Sequence, residues 1–277
     1  MISRSLHIAS IQLRKEILSA KNLCIFIIIS IYLLCLMEPV NRFARDYNCK
    51  ISPFGSVFIF SNISSQVVLA IGMVFIFCNA PYRDENYPYL VLRSGTKAWI
   101  LGNAIYIVEM SGIYVILMVV TVILSSVGRN DFLNSWGKIW TTLARTDIGD
   151  DYLILFQISN SIRSNLKPIE ALLISIILEW SSFSLIGLVV YLGNNITDGA
   201  LGTLIGAFYS FYDLIIYNML STSYYKLSPV SLARLSLYYE GAGIKIGYSI
   251  LMLVIASSCV SMLCYFAEKF RKSGGKV

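Results

Sequence analysis

Apolar residues fall into six long runs, about Leu23–Met37, Gly55–Phe77, Ile100–Val127, Pro168–Leu192, Ala200–Leu220 and Ile244–Ala267, divided by short polar stretches. A bilayer core about 30 Å thick takes about 20 mostly apolar helical residues, and most of these runs reach that length. The pattern predicts an all-α membrane protein with six transmembrane helices, forming a single transmembrane domain over residues 1–277. The first run is short and should extend slightly backwards, and Glu38-Pro39 should stop it. Before it, Leu6, Ala9, Leu13, Ile17 and Ala20 recur at helical spacing, which predicts an in-plane interfacial helix within residues 1–22.

The polar segments add detail. The second run carries Ser61-Asn62-Ile63-Ser64-Ser65-Gln66, a turn too polar to face lipid, so it should face other helices or a wet cavity. In residues 128–167, Phe132, Trp136, Trp140 and Leu143 share one helical face, which suggests a lateral helix with its tryptophans at headgroup level. Asn194 to Gly199 reads as a tight turn. Residues 221–243 contain Pro229, a short apolar helix over Leu232–Tyr239, and Gly241-Ala242-Gly243 as a stop.

Between the second and third runs lies a polar hinge, residues 78–103. It holds Pro81, Pro88, the charged cluster Arg83, Asp84 and Glu85, a short helix predicted over Leu90–Trp99, and Arg93, Lys97 and Trp99. Taken alone, these residues describe either a partner-docking loop or an interfacial connector with Trp99 anchored among headgroups. Glu85, Arg93-Ser94-Gly95 and Trp99, with the order of spans, resemble ABC exporter permeases of the type-2 membrane-subunit family. The resemblance implies an N-terminal elbow helix at 1–22 and a cytoplasmic coupling helix at 78–103 that docks on a separate ATP-binding subunit. It also implies lateral extracellular helices, at 128–167 and in a gate-like segment at 221–243, and a homodimer or heterodimer with a second permease. ATP and Mg would belong to the partner subunit and no cofactor to this chain.

Composition narrows the alternatives. With 56% hydrophobic and 14% charged residues, no sizeable soluble domain fits. The net charge of +6 is spread through tails and loops, which favours membrane lipid over nucleic acid as the partner. Lys and Arg divide almost evenly between the two sides of the six spans. The resemblance, with the dense charge of the short tails, therefore places both termini in the cytoplasm of a cell-membrane protein.

Chemistry is sparse. There is no phosphate-cradling GxxxxGK[ST] and no GxSxG, His7 is the only histidine, and the six cysteines form no CxxC, so no catalytic residue and no metal site is expected. The polar residues within the spans, Asn62, Gln66, Glu109, Glu179 and Asp213, either mark a path for a substrate or pair between helices. The expected function is the permease subunit of an ATP-driven exporter of a peptide, antibiotic or lipid-like substrate. The alternative is a nucleotide-independent membrane protein, either a secondary transporter or an immunity or sensor factor that binds a toxin at the outer face.

Overall fold

A computed structural model describes residues 2–81, 87–197, 201–239 and 243–273. These residues fold as helices, with a single isolated β-bridge between Ile51 and Asn130. In chain order the helices are α1 (Ile2–Ile17), α2 (Ala20–Asp46), α3 (Ser56–Ser61), α4 (Ile63–Phe77), α5 (Tyr87–Ser94), α6 (Thr96–Ser125), α7 (Gly137–Leu143), α8 (Ile148–Asp151) and α9 (Asn160–Asn165). They continue with α10 (Pro168–Thr197), α11 (Leu201–Met219), a 3₁₀ turn (Thr222–Leu227), α12 (Pro229–Ala233), α13 (Ser236–Tyr239) and α14 (Ile246–Ser273). By length and composition, α2, α6, α10 and α14 can each cross a membrane, which supports a multi-pass membrane protein. The second expected span is divided into α3 and the 15-residue α4, and α11, at 19 residues, falls outside that set of four.

Several boundaries differ from the sequence reading. The first span does not stop at Glu38-Pro39 but runs through Pro39 to Asp46. A proline inside a helix costs about 3 kcal/mol. Here Leu36, Met37, Val40, Phe43 and Ala44 are all buried around it, and that packing outweighs the lost backbone bond. Helix α10 continues through Asn194 and Asn195 to Thr197, so the expected turn at 194–199 does not begin where the polar residues do. Both asparagines are buried, and Asn194 has acceptors on the chain beside it.

On α1 the buried face is Ser5, Ile8, Ala9, Gln12 and Glu16, rotated from the expected stripe so that Leu6 is exposed. Two features of α6 cause the rotation. Gly102 admits Ile8 so closely that an added Cβ would lie 2.8 Å from it, and Asn103 Oδ1 accepts a 3.0 Å hydrogen bond from Gln12 Nε2.

The centre of the molecule is α10, which packs on α4, α6, α11, α12 and α14. Its crossing with α11 is backbone on backbone. A Cβ at Gly193 would lie 2.4 Å from the Gly202 Cα, and one at Gly202 would lie 2.1 Å from the Val190 carbonyl oxygen. Small residues at helix crossings permit such approach, and dispersion and main-chain contacts hold it together.

In the segment after α6 the tryptophans pack against protein and do not stand at headgroup level, and α7 covers Gly137–Leu143 of the expected helical face. Phe132 is exposed and lies outside any helix, whereas Trp136, Trp140 and Leu143 are buried. Trp140 Nε1 donates to the Ser52 carbonyl at 2.7 Å and Trp136 Nε1 to the Leu166 carbonyl at 2.9 Å, with Phe58 5.0 and 5.1 Å from the two indoles. Ser52 before α3 and Phe58 within it supply two of these partners, and Tyr152 meets Phe43 and Asp46 at the end of α2, so segment 128–167 closes over the α2–α3 end of the bundle.

Candidate functional site

Three groups of polar residues can carry function: the break in the second span, the buried acids, and the hinge.

The break lies at Asn62, whose extended backbone (φ −89°, ψ 131°) separates α3 from α4 and whose Oδ1 accepts from the Ser64 and Ser65 amides. This local cap explains the polar run: Ser, Asn and Gln here satisfy helix ends that the break exposes. One turn later Gln66, fully buried, donates from Nε2 both to the Phe60 carbonyl and to Glu179 Oε1. Glu179 is likewise fully buried on α10, and among the described residues it has no cationic partner. The structure thus brings Asn62, Gln66 and Glu179 into one neighbourhood.

Asp213, on α11, forms a second centre. Ser231 Oγ donates to its Oδ1, and Arg234 Nε lies 3.1 Å from its Oδ2 at an angle off the line of a hydrogen bond. Arg234 is 3% exposed and its guanidinium sits 5.2 Å from the Tyr225 ring centroid. The expected helix over Leu232–Tyr239 is interrupted at this arginine, giving α12 and α13 instead. Turning the chain out of helix there lets Arg234 reach Asp213. Sequence reasoning missed Arg234 because it was counted as a loop charge. The available signal was one arginine inside an otherwise apolar stretch.

The two centres adjoin one cavity of about 540 Å³, lined by Asn62, Ser64, Gln157, Asn218, Arg234 and Ser236 among others. Ser236 Oγ also donates to the Ser61 carbonyl at 3.3 Å, which joins the 221–239 segment to the break. Glu109 stands apart. It is half-buried on α6 and lines a separate, mostly apolar groove of about 460 Å³ with Trp180 and serines of α10 and α14. The three acids therefore do not form one continuous chain of side chains.

At the hinge, Arg83, Asp84 and Glu85 lie outside the described residues. The short helix ends at Ser94, not Trp99, because Gly95 adopts φ +85° and starts α6 afresh. Arg93 on α5 and Lys97 on α6 are exposed, and beside them Tyr89 and Leu92 are 74% and 83% exposed. Trp99 is 2% exposed within α6, so it is a core residue and not a headgroup anchor. The hinge is held at its start by Asn194 Nδ2, which donates to the Cys78 and Ala80 carbonyls, each at 2.8 Å.

Among the described residues no cluster of three His, Cys, Asp or Glu side chains could hold a metal ion. No protein-family model, curated protein or solved structure matches this chain.

Proposed function

We propose that the chain is the permease subunit of an ATP-driven exporter in the cell membrane, with six spans and both termini cytoplasmic, working as a homodimer or heterodimer with ATP-binding subunits. In this reading α3 with α4 and α11 supply the second and fifth spans, α1 is the elbow helix, and α5 is the coupling helix. The observation that carries the reading is α5 itself. It is a short helix between two apolar elements, ended by Gly95, and it exposes Tyr89, Leu92 and Arg93 in succession. Large apolar side chains beside charge on a short surface helix suit a protein partner better than water. Energy from ATP can reach the spans only through a contact that differs between two states, and α5 offers such a contact.

The test is recovery of an ATPase subunit with the tagged chain from native membranes. The charge-reversed double variant Arg93→Glu, Lys97→Glu should insert normally and recover at least fivefold less of that subunit. Equal recovery with undiminished export would remove α5 from the mechanism. The second reading, a toxin-binding immunity or sensor factor, is favoured by the cavity beside Asn62 and Arg234, and failure of any ATPase to co-purify would turn the balance toward it.

A further inference from the structure

The cavity between the α3–α4 break, the start of α9, the end of α11 and segment 222–237 is lined largely by uncharged hydrogen-bonding groups. Its side chains include the carboxamides of Asn62, Gln157 and Asn218, and the one permanently charged side chain among its described residues, Arg234, already faces Asp213. Leu237 and the ring of Tyr225 supply apolar wall. Arg234 Nη2 is buried and has no hydrogen-bond partner. At about 540 Å³ the space lies within the ~300–1,000 Å³ of small-molecule sites.

We propose that this cavity binds a short, uncharged peptide segment. Carboxamide side chains match the donor and acceptor pattern of the peptide group, and the apolar wall accepts small apolar side chains. An anionic ligand is disfavoured because Asp213 holds the guanidinium's charge, and a cationic one finds no carboxylate among the described residues of the wall. The cavity lies beside a broken helix, where backbone polar groups are free of the continuous helical ladder, an arrangement tolerated at membrane depth only where it faces protein or a water-filled space. The inference concerns the chain alone and does not depend on an ATP-binding partner.

The purified full chain in lipid nanodiscs is exposed to an N-acetylated, C-amidated tetrapeptide of neutral residues that carries one benzophenone side chain. Irradiation should cross-link residues within 61–64, 157–159 or 214–237, saturably and with competition by the unlabelled peptide. Asn218 and Gln157 are exposed, so Asn218→Leu and Gln157→Leu should leave thermal unfolding unchanged while each lowers cross-linking at least fivefold. Cross-links elsewhere, cross-linking indifferent to both variants, or competition by a neutral trisaccharide but not by the peptide would each overturn the proposal. Absence of a co-purifying ATPase would bear on the exporter reading and leave this result intact.

Discussion

A carboxyl group deep in a helical bundle depends on the groups that face it, and Glu179 has the amide of Gln66 for its donor. Glu179→Gln keeps the size and the polar character of the side chain, so folding should survive with substantial activity. Glu179→Leu leaves the Gln66 amide short of an acceptor, at a cost of about 1–3 kcal/mol. Thermal unfolding in detergent compares the two, and equal losses would show that the charge itself matters. The Asp213–Arg234 pair obeys a different rule, because removing one partner leaves a buried charge alone. Arg234→Met should destabilise by about 3–5 kcal/mol, and adding Asp213→Asn should restore part of that loss. If the double variant is no better than Arg234→Met, the pair is not the unit of stability. At this scale Glu179, Asp213 and Gln66 were legible as polar residues in apolar runs, whereas which groups they pair with was not. A partner 113 residues away in sequence, as Gln66 is from Glu179, leaves no periodic trace.

Helices were legible from hydrophobic runs, but their ends were less so. Proline and charge at 38–39 signalled a stop that tertiary burial overrode, and Asn194-Asn195 signalled a turn that the chain does not make there. The break at Asn62 was hidden inside a run long enough to be one helix. Glycines in α11 sit at close packing, because a missing Cβ has one structural use where another backbone presses against it. Gly202→Ala should therefore weaken the α10–α11 crossing by about 1–3 kcal/mol through overpacking. Gly247→Ala on α14, where an added Cβ meets nothing within 4 Å, should be neutral or slightly stabilising. Denaturation of the two variants side by side separates crowding from helix propensity, and similar shifts would contradict the crossing.

For the whole molecule, the all-helical, membrane-spanning architecture followed from hydropathy, while sidedness rested on resemblance because the basic residues hardly discriminate. Ser135 is exposed in the segment that closes over the α2–α3 end. In a cysteine-free variant, Ser135→Cys should react with an impermeant thiol reagent added to intact cells. Reaction only after lysis would invert the topology. The tryptophans of that segment misled the sequence reading for a physical reason. An indole satisfies its N–H equally well at a headgroup and at a buried carbonyl, so composition alone does not separate a membrane anchor from a structural plug.

The Asn194 amide, bound to the carbonyls of Cys78 and Ala80, makes the start of the hinge and the far end of α10 a single mechanical joint. From Asn194 back to Glu179 the helix is an unbroken rod about 22 Å long at 1.5 Å per residue. A rod of hydrogen-bonded backbone resists compression, so one stiff element runs from the joint to Glu179. Gln66, on the other side of Glu179, belongs to α4, whose far end is the same joint. The hinge, α4 and α10 thus enclose a triangle with two hydrogen-bonded corners. Opening one corner strains the other.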